Sequence, residues 1–278
     1  QWFLSRAWDG AEITIPFILP RNSSLDQDLP TPYQGIGARG VNNLAAKLLL
    51  TLFPPNSPFF KFQIDDFTLE ELQAQRAPVE EGLNAMERAV MDEVEAKAMR
   101  VPLNECLRHL IITGNALINV NKNNKIRVFH LDQYVVRRDP QGEMLEVIVQ
   151  EKMSRELYKD VFGSAPPNET GHAADSVERD LDLYTVVKRS NNKIKVFQEV
   201  HGKKIPNTDS VYPLDKNPWL PLRFSSIDGE DYGRGFVEEY LGDLRSLEGL
   251  AKAILEGSAA AARAVFLVRP NGTTKLKT

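Results

Sequence analysis

DGEDYGRGFVEEYLGDLRSLEGLAKAILEGSAAAARAVFLV, residues 228–268, decides how the rest of the chain is arranged. Apolar side chains recur at Val237, Tyr240, Leu241, Leu244, Leu247, Leu250, Ala251, Ile254 and Leu255, then at Ala261, Ala262 and Val265, the three-and-four spacing of one helical face. No proline interrupts the run. Glu238 and Glu239 fall in the first turn, where carboxylates suit the positive end of the helix dipole, and Pro270-Asn271-Gly272 marks the stop. From Phe236 to Val265 the rise is roughly 45 Å, more than the width of a small domain. A rod of that length predicts packing on other subunits.

The remaining composition is that of an ordinary folded protein. The chain has 278 residues, 42% apolar and 26% charged, with a formal net charge of -4. That balance argues against an isolated high-affinity nucleic-acid binder, which concentrates Lys and Arg to displace counterions, and leaves loose contact with DNA open. Cys106 is the only cysteine, so no intrachain disulfide and no cysteine-rich zinc site exists, and a reducing compartment fits best. Opening on Gln1 and ending at Thr278 just past a helix exit, the chain is expected to lack a C-terminal part.

Towards the N-terminus, residues 1–19 are apolar but short, and Pro20 to Pro32 reads as a loop. Gly35, Gly37 and Gly40 then satisfy the G-x-G-x-x-G spacing ahead of a helix through Leu44, Leu48, Leu49, Leu52 and Phe53, expected in the core. In a nucleotide-binding enzyme such glycines bring backbone to a pyrophosphate. Here LDQDLPTPYQ precedes them instead of a strand, and the first acid after the helix is the late Asp65. The alternative is a tight turn with small residues that let a helix pack closely. The Leu44 to Phe53 block is about half of the roughly 20 residues that span a bilayer, which leaves a membrane-surface helix as a further alternative.

Pro54-Pro55 ends that helix, and Phe59, Phe60 and Phe62 suggest a short strand. An amphipathic helix follows Pro78, with Val79, Leu83, Met86, Val90, Val94 and Ala98 on one face, and another runs from Pro102 to a break at Gly114-Asn115. From Ala116 the period becomes two. ALINV and IRVFHL around NKNN, YVVRR and EMLEVIVQ around DPQG, and LYTVVK and KIKVFQEV around Ser190-Asn191-Asn192 read as hairpins, with a short helix at Ser154 to Val161 and a last strand at Leu220 to Ser226. Residues 163–180 read as a flexible loop. The four histidines, His109, His130, His172 and His201, form no metal-ligand pattern; there is no G-x-S-x-G elbow and no phosphate-binding P-loop. No catalytic, cofactor or metal residue is therefore assigned.

Two stretches carry a resemblance. YQGIGARGVNNLAAKLLLTLFPPNSPFFKF (33–62) and IDGEDYGRGFVEEYLGDLRSLEGLAKAI (227–254), where the family pattern leads with Leu in place of Ile227, closely resemble the portal (head-to-tail connector) proteins of short-tailed, podovirus-type bacteriophages. GNALINV and LDQYVVRRDPQGEMLEVIVQ between them are similar too. The resemblance implies an α+β phage portal fold: a mixed helix and strand wing domain over 1–227, mainly helical to 115 and β-rich over 116–227, then a stem helix over 228–265 and the start of a clip over 266–278. It implies a non-enzymatic ring of about twelve copies at a capsid vertex, through which double-stranded DNA enters and leaves non-specifically. The partners implied are a terminase motor and tail adaptor, scaffold and capsid proteins, with no membrane. Location in the virion, and in the host cytoplasm during assembly, follows.

On that reading Val237, Tyr240, Leu241, Leu244, Leu247, Ala251, Ile254 and Leu255 pack between subunits in the stem. Acids outnumber bases between Asp228 and Val265, which favours sliding of DNA over gripping. Arg245, Lys252 and Arg263 are the candidates for light phosphate contact or for ion pairs with neighbouring subunits.

Overall fold

The computed structural model describes residues 32–55, 57–64, 76–121, 123–163 and 181–263, Arg76 by its backbone alone. The expected N-terminal apolar segment, nearly all of the loop over 163–180 and the clip residues lie outside them. The described chain mixes helices with antiparallel strands. Three helices come first, α1 (Ile36–Leu52), α2 (Arg76–Ala96) and α3 (Arg100–Thr113). The strands are β1 (Asn115–Val120), β2 (Ile126–Phe129), β3 (Tyr134–Arg138), β4 (Met144–Met153), β5 (Leu181–Ser190), β6 (Lys193–Val200), β7 (Lys203–Lys204), β8 (Ser210–Pro213) and β9 (Trp219–Arg223). Helix α4 (Arg155–Phe162) joins β4 towards β5, and α5 (Phe236–Ala261) follows β9.

Two antiparallel sheets result, ordered β2-β1-β9 and β3-β4-β5-β6-β7, with β8 also paired to β6. All three expected hairpins form, because each turn carries its own chemistry. Asn191 and Asn192 adopt φ of 46° and 61°, the left-handed pair that matches strand twist, and Ser190 faces Lys193. Ser154 caps α4 by accepting from the Leu157 N–H at 3.3 Å, and Gly163 closes it with φ 65°.

Strand β1 joins the two cores. Leu117 faces the large sheet, among Val136, Val147, Val149, Val187 and Trp219. Its neighbours Ala116 and Ile118 face the helices, among Val41, Ala45, Leu107, Ile111 and Val237. A third small core seats Tyr158 of α4 on Leu181, Leu183 and Val200.

Several expectations are corrected. Phe59, Phe60 and Phe62 form no strand: with no partner strand they stack edge to face from Phe53 onward, at centroid separations of 5.1, 5.2 and 5.3 Å. Leu52, expected in the core, is 49% exposed, since the stripe α1 buries is centred on Val41 and Ala45. A Cβ added at Gly35 or Gly40 would meet open space, so neither glycine serves close packing. Gly40 lies inside α1, and the described residues before Gly35 contain no strand, so the nucleotide-loop geometry is not formed. Helix α2 forms as expected, yet none of its described side chains is buried, and Ala98 lies beyond it at φ 50°. The last strand stops at Arg223, and β7 and β8 were not foreseen. The long helix begins at Phe236 with Glu238 and Glu239 in its first turn, as the pattern predicts, and residues 228–235 ahead of it are irregular.

Candidate functional site

The base of α5 is the most elaborately built place in the chain. Residues 228–235 do not continue the helix because their backbone is engaged elsewhere. Arg234 N–H donates to Ser225 O at 2.8 Å and Arg234 O accepts from Ser225 N–H at 3.3 Å, a single bridge running off the end of β9. The segment then passes against the α3–β1 junction at van der Waals contact. Gly114, the left-handed C-cap of α3 at φ 74°, faces Arg234 and Gly235; a Cβ there would stand 2.2 Å from Arg234 C. A Cβ on Gly235 would stand 2.6 Å from Ile112 O, and one on Gly233 2.8 Å from Gly114 O. Three glycines thus let two backbones touch.

Asn115 locks this contact. Its amide Nδ2 donates to Gly233 O at 2.9 Å and to Thr113 O at 2.8 Å, while its Oδ1 accepts from Gly233 N–H at 2.7 Å. Both residues are buried, so each polar group is satisfied without water.

The outer side of the same segment is held by cations. Arg138 donates through Nε to Asp231 O at 3.0 Å, through Nη1 to Gly142 O at 2.9 Å and through Nη2 to Pro221 O at 2.8 Å; its backbone N–H donates to Asp231 Oδ1 at 2.7 Å. Burial, and then the charge of Arg223, pull its pKa below the usual arginine value, but a guanidinium stays protonated in proteins. Arg223 donates to Glu230 O at 2.9 Å. The Tyr232 hydroxyl accepts from Val136 N–H at 3.1 Å, and burial raises its pKa. Arg234 pairs with Glu230 at 2.9 Å and with Glu238 in the first turn of α5; the hydrogen bond with Glu230 is the largest influence raising its pKa.

Along α5 the expected packing residues divide. Val237 is buried in the chain's own core and Leu244 packs against it, so these two are already covered. Leu241, Leu247 and Ala251 are half-buried. Tyr240, Ile254 and Leu255 are 54%, 66% and 53% exposed, joined by Leu250 at 62%. Beyond Ala251 every described residue is exposed. Tyr33, just before α1, reaches the mid-helix: its N–H donates to Glu248 Oε1 at 2.6 Å, and Lys252 Nζ lies 5.9 Å from its ring centroid.

Arg245, Lys252 and Arg263 are separated by seven and eleven residues, so they lie along one side of the rod, away from the Tyr240–Ile254 stripe. Arg245 and Arg263 are exposed, and Lys252 pairs with Glu256 at 3.9 Å. Asn115, Arg138, Arg223 and the glycine contact were missed in the sequence. The doublet Gly233-x-Gly235 and the Gly114-Asn115 step were the available signals, but their partners lie more than 100 residues apart. Among the described residues no group of three His, Cys, Asp or Glu could hold a metal ion, and no helix is long and apolar enough to cross a membrane.

The sequence has counterparts among known proteins. The sequence profile of the bacteriophage head to tail connecting proteins matches residues 1–278, and the chain belongs to that family. Among its relatives, the portal protein of Enterobacteria phage T3 is 38% identical over 287 residues, covering 98% of this chain and 52% of that protein. The portal protein of Escherichia phage T7 is 34% identical, with 98% and 52% covered, and that of Enterobacteria phage SP6 is 27% identical, with 98% and 53% covered. The chain spans about half the length of the curated relatives it matches.

Proposed function

We propose that the chain is a subunit of a portal ring at a capsid vertex, a non-enzymatic channel for packaging and ejecting double-stranded DNA and the docking site for a terminase motor and the tail. In this reading 1–227 is the wing, α5 the stem within 228–265, and 266–278 the start of the clip. About twelve copies close the ring. Assembly takes place in the host cytoplasm, with scaffold, capsid and tail adaptor proteins as partners, and the finished ring resides in the virion.

One observation carries the proposal: among the described residues nothing covers Leu250, Ile254 and Leu255 on the far half of α5, which are exposed. A single copy has no use for an apolar rod in water, whereas identical neighbours around an axis bury it between them. Arg245, Lys252 and Arg263, on another side of the rod, then face either the channel or the next subunit. Negative-stain images of the full-length protein test the ring: annular particles with a central hole are expected, and a monodisperse monomer would sink the reading. Alanine at the three cations separates their roles, since intact rings with impaired packaging place them in the channel, and broken rings place them between subunits.

A further inference from the structure

Away from α5, two faces have no cover among the described residues and match each other. The first is on α2. Val79, Leu83, Met86, Val90 and Val94 lie on one side of it, with Met86 61% and Val90 41% exposed. Beside the stripe, Asn84, Glu87, Arg88, Met91, Asp92 and Glu95 line an open groove with Ser57 and Pro58 of the same chain. Val79, Leu83 and Val94 are part-buried, so Met86 and Val90 are the part of the stripe that meets solvent. Six acids against two arginines make α2 acidic, and Glu87 and Glu93 flank the stripe on either side.

The second face is the outer side of the large sheet. Val135 pairs with Ile148, Ile148 with Val186 and Val186 with Phe197, so the four form one cross-strand row. They alternate with Tyr134, Val136, Val147 and Val187, which fill the core behind the sheet. Val135 is 53% exposed, Ile148 and Phe197 are partly exposed, and Val186 between them is buried. Helix α4 covers Leu181, Leu183 and Val200 on the core side, and α1, α3 and α5 pack around the small sheet, so no described helix covers this row. The adjacent row is Arg137, Glu146, Lys188 and Lys195, three cations to one carboxylate; Glu146 lies 4.0 Å from Arg137 and 3.7 Å from Lys188. Lys204, paired with Asp209 at 2.5 Å, lies 5.1 Å from the Phe197 ring centroid.

We infer that α2 of one copy docks on the outer face of the large sheet of the next, apolar stripe on apolar row and acidic flanks on the basic row. The inference rests on the ring reading and names one of the contacts that closes the ring. A cyclic assembly needs two different, mutually complementary patches on each subunit, and a helix stripe laid on a sheet face is a standard way to bury both. The opposite charges fix the pairing and disfavour α2 against α2 or sheet against sheet, since like charges would then meet.

The test uses the full-length protein. Glu87→Lys with Glu93→Lys, and separately Lys188→Glu with Lys195→Glu, are expected to cut ring yield about tenfold or more. All four changes in one chain are expected to restore it. Of the four side chains altered, Glu93, Lys188 and Lys195 are exposed and Glu87 is partly exposed, and thermal unfolding of the variants reports whether each still folds. Cysteines at Met86 or Val90 combined with one at Val135 or Phe197 are expected to give interchain disulfide ladders on oxidation, the native Cys106 being buried. Folded variants of both kinds that assemble like the wild type overturn the inference while leaving the ring intact, as does the absence of interchain product from every pair in intact rings. Variants on the sheet that assemble normally but lose DNA binding overturn it in favour of a nucleic-acid face. A wild-type protein that forms no ring overturns this inference together with the reading beneath it.

Discussion

Asn115 grips Gly233 by both ends of its amide, donating to the glycine oxygen at 2.9 Å and accepting from its N–H at 2.7 Å, across 118 residues of sequence. Asn115→Ala leaves that buried N–H and C=O unpaired, at about 1–3 kcal/mol for each group. A lowered urea midpoint with an unchanged slope is expected. A midpoint equal to the wild type would mean that the glycine contact holds without the amide.

Gly114 and Gly202 separate two contributions. Both have positive φ, 74° and 70°, but a Cβ on Gly202 meets nothing within 4 Å, whereas one on Gly114 meets backbone at 2.2 Å. Gly202→Ala is expected to cost about 1–2 kcal/mol from the left-handed conformation alone. Gly114→Ala carries that cost and forces the base of α5 away from α3, adding roughly 1–3 kcal/mol of overpacking. Thermal unfolding of the two variants side by side checks the difference, and equal melting temperatures would refute the close contact.

Ile254 is 66% exposed and Leu250 62% in the single chain. Ile254→Asp with Leu250→Asp is therefore expected to change the stability of the dissociated subunit by less than about 0.5 kcal/mol per site. Ring formation is expected to fail. Sedimentation velocity and thermal unfolding on the same samples distinguish this from a folding defect, and normal rings would place the apolar stripe outside the subunit contacts.

His109 makes stability depend on pH. It is buried beside His130, at a ring separation of 4.9 Å, and Glu105 lies 3.8 Å from its Nε2. Burial lowers its pKa from the ordinary 6.5 despite the pull of Glu105. Below that value the unfolded chain takes up a proton that the folded chain resists, so stability is full above about pH 6.5 and declines as pH falls toward the folded pKa. Glu105, lowered from 4.5 chiefly by the His109 ring, loses its own contribution only further down, as pH drops through its folded pKa. His109→Gln is expected to flatten the melting temperature between about pH 7 and 5. Parallel curves for variant and wild type would assign the dependence to other groups.

Local chemistry explains what could be read without a structure. Each hairpin announced itself by its turn, and α4 by Ser154 and Gly163, because those residues act on backbone within a few positions. The alternation in β1 was visible too, but not that both of its faces would be buried. Periodicity in α5 identified a stripe without saying what covers it, so Val237, which serves the chain's own core, and Ile254, which does not, looked alike. The irregular backbone ahead of the helix was hidden for a related reason. Residues 228–235 have no pattern that shows their backbone bonding to Ser225 and Asn115, and a long-range hydrogen bond leaves no periodic trace. Phe59 to Phe62 looked like a strand by composition, but composition cannot supply the neighbouring strand that pairing requires.

The glycine contact at the foot of α5 also has a mechanical meaning. The helix is 26 residues long, a lever of about 39 Å. A rotation of about one degree at Gly235 carries Ala261 through about 0.7 Å at that arm length. Backbone pressed on backbone, with no side chain to repack, leaves little angular play at the pivot. The accuracy with which the tip of the rod is aimed is therefore set at its other end, by residues that never approach the tip.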